Sequence, residues 1–321
     1  MILTSIRDWV DHVPLGQRPS WTEYFMIAAF MASLRSTCGS RRVGCTIVHD
    51  KQILSTGYNG SVPGDVHCIE GGCPRFEAKK RGELGSGERL ADCIAVHAEQ
   101  NALIQIGMQA KGGELYTTTY PCFLCAKMIV RAGIHTVYYV EGYPSPETEA
   151  LFARTGLCVK QMETDRYPHL SQVMHLLQKI PLGERPTWDT YFLSLAYMAS
   201  LRSTCSLNRV GSLVVMDKQV IATGYKGSVP GDIHCTNGGC PHVLNPDEMC
   251  IALDAEENAL LSLPRGSVNN SSATLFTTAA PSYTSAKLAI KAGIRRIVHS
   301  KELDENVMDL FSRLGIARLK L

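Results

Sequence analysis

The chain repeats itself, and the length of the repeat limits what it can fold into. Residues 14–38 read PLGQRPSWTEYFMIAAFMASLRSTC and return from Pro181 as PLGERPTWDTYFLSLAYMASLRSTC, identical at 17 of 25 positions at an offset of 167. GYNGSVPGD (Gly57 to Asp65) returns as GYKGSVPGD (Gly224 to Asp232) at the same offset. Beyond the GGCP segments at Gly71 and Gly238 the offset drops to 157, which places a ten-residue insertion in the charged stretch RFEAKKRGELGSGERL of the first copy. It settles near 160 where MIVRAGI (Met128 to Ile134) meets LAIKAGI (Leu288 to Ile294). Solenoid units recur every ~20–50 residues, so a period this long is a duplicated domain. The repeat predicts domains over 1–163 and 181–321, joined by a polar linker across 164–180.

Within a copy, hydrophobic periodicity alternates between helix and strand. Trp21 to Leu34 places Tyr24, Phe25, Ala28, Met31 and Ala32 at helical spacing behind Pro19 and Ser20. Val43 to Val48 and Gln52 to Gly57 read as strands joined by the turn His49-Asp50-Lys51. Val96 to Ile106, Phe123 to Ala132 and Glu147 to Arg154 read as helices; Glu114 to Thr118, Thr136 to Val140 and Leu157 to Gln161 read as strands. Strands alternating with helices predict a three-layer α/β/α sandwich with a mostly parallel five-stranded sheet, present twice.

Composition narrows the class. The chain is 45% hydrophobic and 19% charged, an ordinary globular balance, and no apolar run approaches the ~20 residues of a membrane span. A net charge of +2 and 7% aromatic residues argue against stable nucleic-acid binding. Asp8 and Asp11 interrupt the first apolar stretch, so no signal peptide is expected. Twelve cysteines without a leader point to a reducing compartment, cytoplasmic or nuclear, where thiols more often bind metal than form disulfides.

The chemistry concentrates in two short motifs. His97-Ala98-Glu99 opens one predicted helix and Pro121-Cys122-Phe123-Leu124-Cys125 opens another. One imidazole and two thiolates suit a zinc ion with an open fourth position. Cysteines three apart at a helix N-terminus can reach one metal, and the positive end of the dipole favours their thiolates. Glu99 then stands beside the metal as a proton carrier. Each motif alone is weak: CxxC also fits a redox pair or a structural knuckle, and a histidine on a helix is commonly a core residue. Together they form the H-x-E…P-C-x-x-C pattern of zinc nucleobase deaminases.

With Arg42-Val43-Gly44, the Gly57-Tyr58-Asn59-Gly60 turn and Val137-Tyr138-Tyr139, these motifs make residues 20–162 resemble the cytidine and deoxycytidylate deaminase family, in its dCMP deaminase branch. The resemblance implies a cytidine-deaminase-like fold and zinc-dependent hydrolysis of dCMP to dUMP, supplying the dTMP pathway. Glu99 would take a proton from the zinc-activated water, pass it to N3 as hydroxide adds to C4, and assist the departure of ammonia. It also carries over substrate contacts: Asn59 to the sugar, Arg42 and Tyr143 to the phosphate, and Ala98 between ligand and acid. The alternatives are a positive backbone φ for Asn59, a surface salt bridge for Arg42 and a packed aromatic for Tyr143.

The second copy has lost this chemistry. His97 maps to Asp254, Cys122 to Ser282, Cys125 to Ser285, Asn59 to Lys226 and Tyr143 to Leu303, while Glu99 keeps a counterpart in Glu256. Serine hydroxyls in place of thiolates make a poor zinc site, so a degenerate, catalytically inactive domain is expected. Cys38, Cys68, Cys73 and Cys93 instead persist as Cys205, Cys235, Cys240 and Cys250, and His67 as His234. Thiols that outlive the catalytic ligands answer to something else: a structural zinc in each domain, with His67 a substitute ligand, or a shared apolar core. The resemblance adds that the branch often carries an additional zinc. Cys45 and Cys158 are left as core residues.

The resemblance further implies a homo-oligomer and dCTP or dTTP as effectors, with the second domain as scaffold or regulatory site; in its GYKGSVPGD turn, Lys226 reads either as a solvated turn residue or as a cation for the effector's phosphate. Within enzymes, the alternative substrates are dCTP, deoxycytidine or a polynucleotide base. Outside them, the chain could be a non-catalytic zinc scaffold for nucleotides or partners, which would leave Glu99 without a purpose. Arg75 to Leu90 reads as a surface loop or a lid.

Overall fold

The computed structural model describes residues 2–85, 88–89, 92–142, 144–264 and 273–321. The chain opens with helix α1 (Ile2–His12). The first body then runs α2 (Trp21–Ser33), β1 (Gly44–His49), β2 (Gln52–Tyr58), β3 (Gly60–Ser61), α3 (Pro74–Lys80), β4 (Ala95–Val96), α4 (Ala98–Ile106), β5 (Glu114–Thr119), α5 (Phe123–Arg131), β6 (Thr136–Glu141), α6 (Pro146–Thr155) and β7 (Cys158–Gln161). Helix α7 (Pro168–Gln178) follows. The second body repeats the plan in α8 (Trp188–Ser200), β8 (Gly211–Met216), β9 (Gln219–Tyr225), β10 (Gly227–Ser228), α9 (Pro241–Leu244), β11 (Ala252–Leu253), α10 (Ala255–Leu261), β12 (Thr274–Thr277), α11 (Tyr283–Lys291), β13 (Arg296–His299), α12 (Glu305–Arg313) and β14 (Ala317–Lys320).

Each body is built on a five-stranded sheet, ordered β2-β1-β5-β6-β7 in one and β9-β8-β12-β13-β14 in the other. β1 and β2 form a hairpin whose tight turn sets Asp50 and Lys51 at φ 47° and 61°, matched by Asp217 and Lys218 at 49° and 63°. β1 runs against both neighbours, whereas β5, β6 and β7 are parallel, separated in sequence by α5 and α6. Four strands therefore point one way and the sheet is mixed.

The strand pleat sorts side chains between two helical layers. Cys45, Ile47, Leu115 and Val137 face α4 and α5, packing with Ala98, Ala102, Cys125 and Ile129. Tyr139 meets Ala126 of α5 and Phe152 of α6 on the same side. The opposite face carries Tyr116, which packs on Phe25 of α2 and stacks on Tyr138 at 4.6 Å. α2 is buried all round because α7 covers its outer side.

The compact units part elsewhere than the expected domains. One unit comprises 21–185; the other comprises 1–20 together with 186–321. The expected linker is the packed helix α7, which buries Leu170, Val173 and Leu177. At the 167-residue offset, α1 and α7 are the same element of the repeat. α1 nevertheless buries its own stripe, Ile2, Ile6 and Val10, with α8 of the second copy, while α7 of the second copy packs on α2 of the first. Each leader helix thus completes the body of the other copy. In the insertion, α3 occupies 74–80 as a short helix, and 86, 87, 90 and 91 lie outside the described residues.

A buried carboxylate fastens α7. Glu23, 4% exposed, accepts N–H bonds from His169 (2.8 Å) and Leu170 (3.1 Å) at the helix N-terminus. Burial alone would raise its pKa, but the bonds from His169 and Leu170 prevail and hold it below the ordinary value of 4.5. A depressed carboxylate contributes stability above its unfolded pKa and loses it as pH falls through the folded one. Protection against amide exchange across 168–178, taken relative to the intrinsic rate, is therefore expected to fall on acidification below pH ~4.5, and Glu23→Gln to flatten that dependence. An identical acid response in the variant would refute this anchoring.

Candidate metal centre

Two helix starts converge under the sheet. His97 caps α4 in extended conformation (φ −72°, ψ 158°), and its N–H donates to Gln100 Oε1 at 2.9 Å. Cys122 caps α5 in the same way, and Cys125 lies one turn on, fully buried. The Sγ atoms of Cys122 and Cys125 each approach His97 Nδ1 to 3.4 Å. Tetrahedral zinc, with Zn–S ~2.3 Å and Zn–N ~2.05 Å, spaces sulfur and nitrogen donors ~3.6 Å apart, so the donor set and its spacing fit this ion. Among the described residues these three alone form a trio of metal-binding side chains with ligand atoms all within 4.8 Å. Hydrogen bonds from Cys125 and then His97 push the Cys122 thiol down to about 4, against the opposing effect of burial. His97 is raised, chiefly by Cys122.

Glu99 sits in the first turn of α4, 4% exposed. Its Oε2 lies 3.6 Å from Cys125 Sγ, and Thr117 Oγ1 of β5 stands 3.4 Å from its Oε1. Burial raises its pKa above the ordinary carboxylate value, which favours its holding a proton. Thr117 was not singled out by its motif. The signal available was the Thr117-Thr118-Thr119 strand end, whose counterparts Thr277 and Thr278 also persist.

The expected substrate contacts fare differently. Asn59 is buried, absent from the positive-φ residues, and its amide is engaged in the framework: Oδ1 accepts from Val43 N (2.9 Å) and Ser36 Oγ (2.7 Å), and Nδ2 donates to Arg41 O (2.9 Å). Arg42 does not face the metal trio's chemistry as a free cation. It donates to the carbonyls of Ile180 (2.8 Å), Pro181 and Glu184 (2.9 Å) in the segment after α7. Its counterpart Arg209 does the same to Val10 in the last turn of α1 and to Val13 and Pro14 just after it, so this arginine secures the exchanged leader. Ala98 is fully buried at the start of α4, and Tyr143 lies outside the described residues. Arg42→Ala is expected to cost about 1.5–3 kcal/mol of stability, the range for a lost charged hydrogen-bond set, with kcat/KM for nucleotide within about threefold. A fall in kcat/KM beyond tenfold at full stability would restore the phosphate role.

Comparison with known proteins places this geometry. The family model described as "Cytidine and deoxycytidylate deaminase zinc-binding region" matches residues 19–141 and again 186–301. The chain belongs to the cytidine and deoxycytidylate deaminase family. ComE operon protein 2 of Bacillus subtilis is 42% identical over 153 residues, covering 46% of this chain and 75% of that protein. Deoxycytidylate deaminases of Schizosaccharomyces pombe and Saccharomyces cerevisiae are 40% and 37% identical, over 45% and 49% of this chain and 44% and 49% of theirs. The match thus spans about half the length of the two yeast enzymes. A solved dCMP deaminase from cyanophage S-TIM5, in complex with dCMP and dUMP, is 30% identical, covering 44% of this chain and 95% of that one at a TM-score of 0.36.

This deaminase carries its second copy's site in altered form. Asp254 caps α10 where His97 caps α4, and Ser282 caps α11 where Cys122 caps α5. Glu256 is buried like Glu99, with its pKa raised by burial, and accepts from Thr277 Oγ1. Lys226 lies 3.5 Å from Asp254 and is an ion-pair partner, not a free turn residue.

The persistent cysteines do gather. Cys38, Cys68 and Cys73 are buried together with Cys93 at their edge, as are Cys205, Cys235 and Cys240, with Cys250 3.9 Å from Cys240. Backbone N–H groups of Gly39 and Ser206 approach Cys68 and Cys235 at 3.3 and 3.4 Å. Burial pushes the Cys68 thiol up to about 12; burial also acts to raise Cys73, but N–H bonds from Ile94 and Phe76 bring it below its ordinary value. His67 turns its Nε2 toward Arg185, 3.4 Å away. Cys45 is a core residue as expected, whereas Cys158 is exposed on the sheet-edge strand β7.

Proposed function

We propose that this protein hydrolyses dCMP to dUMP and ammonia at the first copy, with zinc held by His97, Cys122 and Cys125. The reading rests on one observation: a nitrogen 3.4 Å from each of two sulfurs, with a buried carboxyl beside them. When bound, zinc supplies the Lewis acidity that makes hydroxide available at neutral pH. The chain's own residues do the rest. Burial keeps Glu99 able to hold a proton and release it to the ring nitrogen and the leaving amine. Thr117 Oγ1, which is also bonded to Thr119 O at 3.0 Å, stands 3.4 Å from one carboxyl oxygen, and the other faces Cys125 Sγ. The α2–β1 connection, clamped by Asn59, forms the frame beside it.

The second copy then serves as scaffold or as a site for dCTP or dTTP, and the dUMP produced supplies dTMP synthesis. A structural zinc on each four-cysteine cluster is supported by the N–H bonds to sulfur. A homo-oligomer is supported by the apolar groove of about 520 Å³ between α4 and α5, where Ile104, Met108 and Leu124 are more than half exposed. Among the described residues, no helix is long and apolar enough to cross a membrane.

The test is ammonia release by zinc-replete protein on dCMP, deoxycytidine, dCTP and single-stranded DNA, alongside metal analysis. Preference for dCMP by tenfold or more is expected, with roughly three zinc ions per chain. Preference for dCTP would overturn the substrate. One zinc per chain would remove the structural sites. No deamination of any substrate, with or without dCTP as activator, would favour a non-catalytic scaffold.

A further inference from the structure

We propose that Lys226 is a tethered counter-cation, which closes the second copy's site to divalent metal by standing in for the ion's charge. The backbone around it is unchanged from the first copy. Asn59 N donates to Val43 O at 3.1 Å and Lys226 N to Val210 O at 2.9 Å. Thr37 N donates to Asn59 O at 3.2 Å and Thr204 N to Lys226 O at 3.1 Å. Ser36 and Ser203 Oγ donate to the same two carbonyls, at 2.9 and 2.7 Å. Only the side chain has been redirected. The Asn59 amide ends on Arg41, Val43 and Ser36, whereas the Lys226 ammonium reaches Asp254, at the position of the ligand His97.

Every polar group of the altered site finds its partner without an ion. Asp254 Oδ1 is 3.5 Å from Lys226 Nζ, and Oδ2 accepts from Ser285 Oγ at 3.2 Å. Ser282 and Ser285 hydroxyls pair at 3.0 Å, and Thr277 serves Glu256. The formal charge also matches. A divalent ion with two thiolates and a neutral imidazole sums to zero, and so does the ammonium of Lys226 with the carboxylate of Asp254. The pair is partly screened, with side chains 19% and 32% exposed, so it neutralises the pocket more than it stabilises the fold. Restoring ligands alone would leave a fixed positive charge facing the metal.

The inference rests on the reading that the first copy's trio holds zinc, and two experiments on the full chain separate the two. Asp254→His, Ser282→Cys and Ser285→Cys together rebuild the ligand set. Zinc titration against a chromophoric chelator should give one additional ion per chain when Lys226→Asn accompanies them. Binding of that ion should be at least tenfold weaker when Lys226 stays. Equal affinity with and without Lys226 overturns the proposal, whereas absence of zinc from the unaltered trio overturns only the first-copy reading. Should the rebuilt chains not fold, thermal unfolding of the native pair decides. Lys226→Met should lower the midpoint, and Asp254→Asn in the same chain should recover it. Strictly additive effects would mean that the two side chains do not act as a pair.

Discussion

Glu99→Gln is expected to reduce kcat for dCMP by about 10²–10⁴-fold while zinc content is retained. Glutamine keeps the size of the side chain and can still receive the Thr117 hydroxyl, so the first turn of α4 is preserved. It can neither take nor return a proton. If the burial-raised carboxyl is the proton carrier, the acidic limb of kcat/KM in the wild type is set by deprotonation of this group, and activity declines as pH falls through its raised value. The variant should lack that limb. Steady-state kinetics with metal analysis check the prediction, and retention of activity within tenfold at full zinc occupancy would remove Glu99 from the chemistry.

Gly57→Ala is expected to combine loss of stability with loss of activity, and Gly224→Ala to lose stability alone. A Cβ at Gly57 would fall 2.1 Å from Ala98 O and 2.6 Å from Ala102 N, both backbone atoms of α4. A Cβ at Gly224 would fall 2.2 Å from Ala255 O and 2.3 Å from Ala259 N of α10. Neither contact can be relieved by a rotamer change, so the helix must move; overpacking of this kind costs about 1–3 kcal/mol. In the first copy that movement carries His97 and Glu99, and a displacement near 1 Å can cost about 10²-fold in rate. In the second it displaces Asp254 and Glu256, which the proposed reaction does not use. Thermal unfolding and kcat measured on both variants give the comparison. Equal activity losses would place catalytic work in the second copy; no loss from Gly57→Ala would mean that α4 adjusts without moving its first turn.

The metal site was legible because its residues are close in sequence and sit at element starts. Cys122 and Cys125 lie about one helical turn apart and Glu99 follows the N-cap His97 in the first turn of α4, so each motif marks one helix start. Element boundaries within a copy were legible for the same reason: α2, the β1–β2 hairpin and α5 are written in short-range periodicity and turn residues.

What the tertiary structure decided is non-local. Ile6 and Val10 of one leader correspond in the repeat to Val173 and Leu177 of the other, and each leader adds one more buried residue, Ile2 or Leu170, to its stripe. Sequence determined that two bodies exist but left 164–180 as a linker; only packing between distant segments shows α1 and α7 as leader helices, each completing the other copy's body. The same holds for polar partners. Arg42 reads as a cation for a phosphate until the carbonyls of 180–184 are seen to occupy it, and Asn59 reads as a sugar ligand until its amide is found tied to 36, 41 and 43. A side chain's type states what it can bind, whereas the hydrogen-bonding groups that reach it first, brought by distant segments, determine what it does bind.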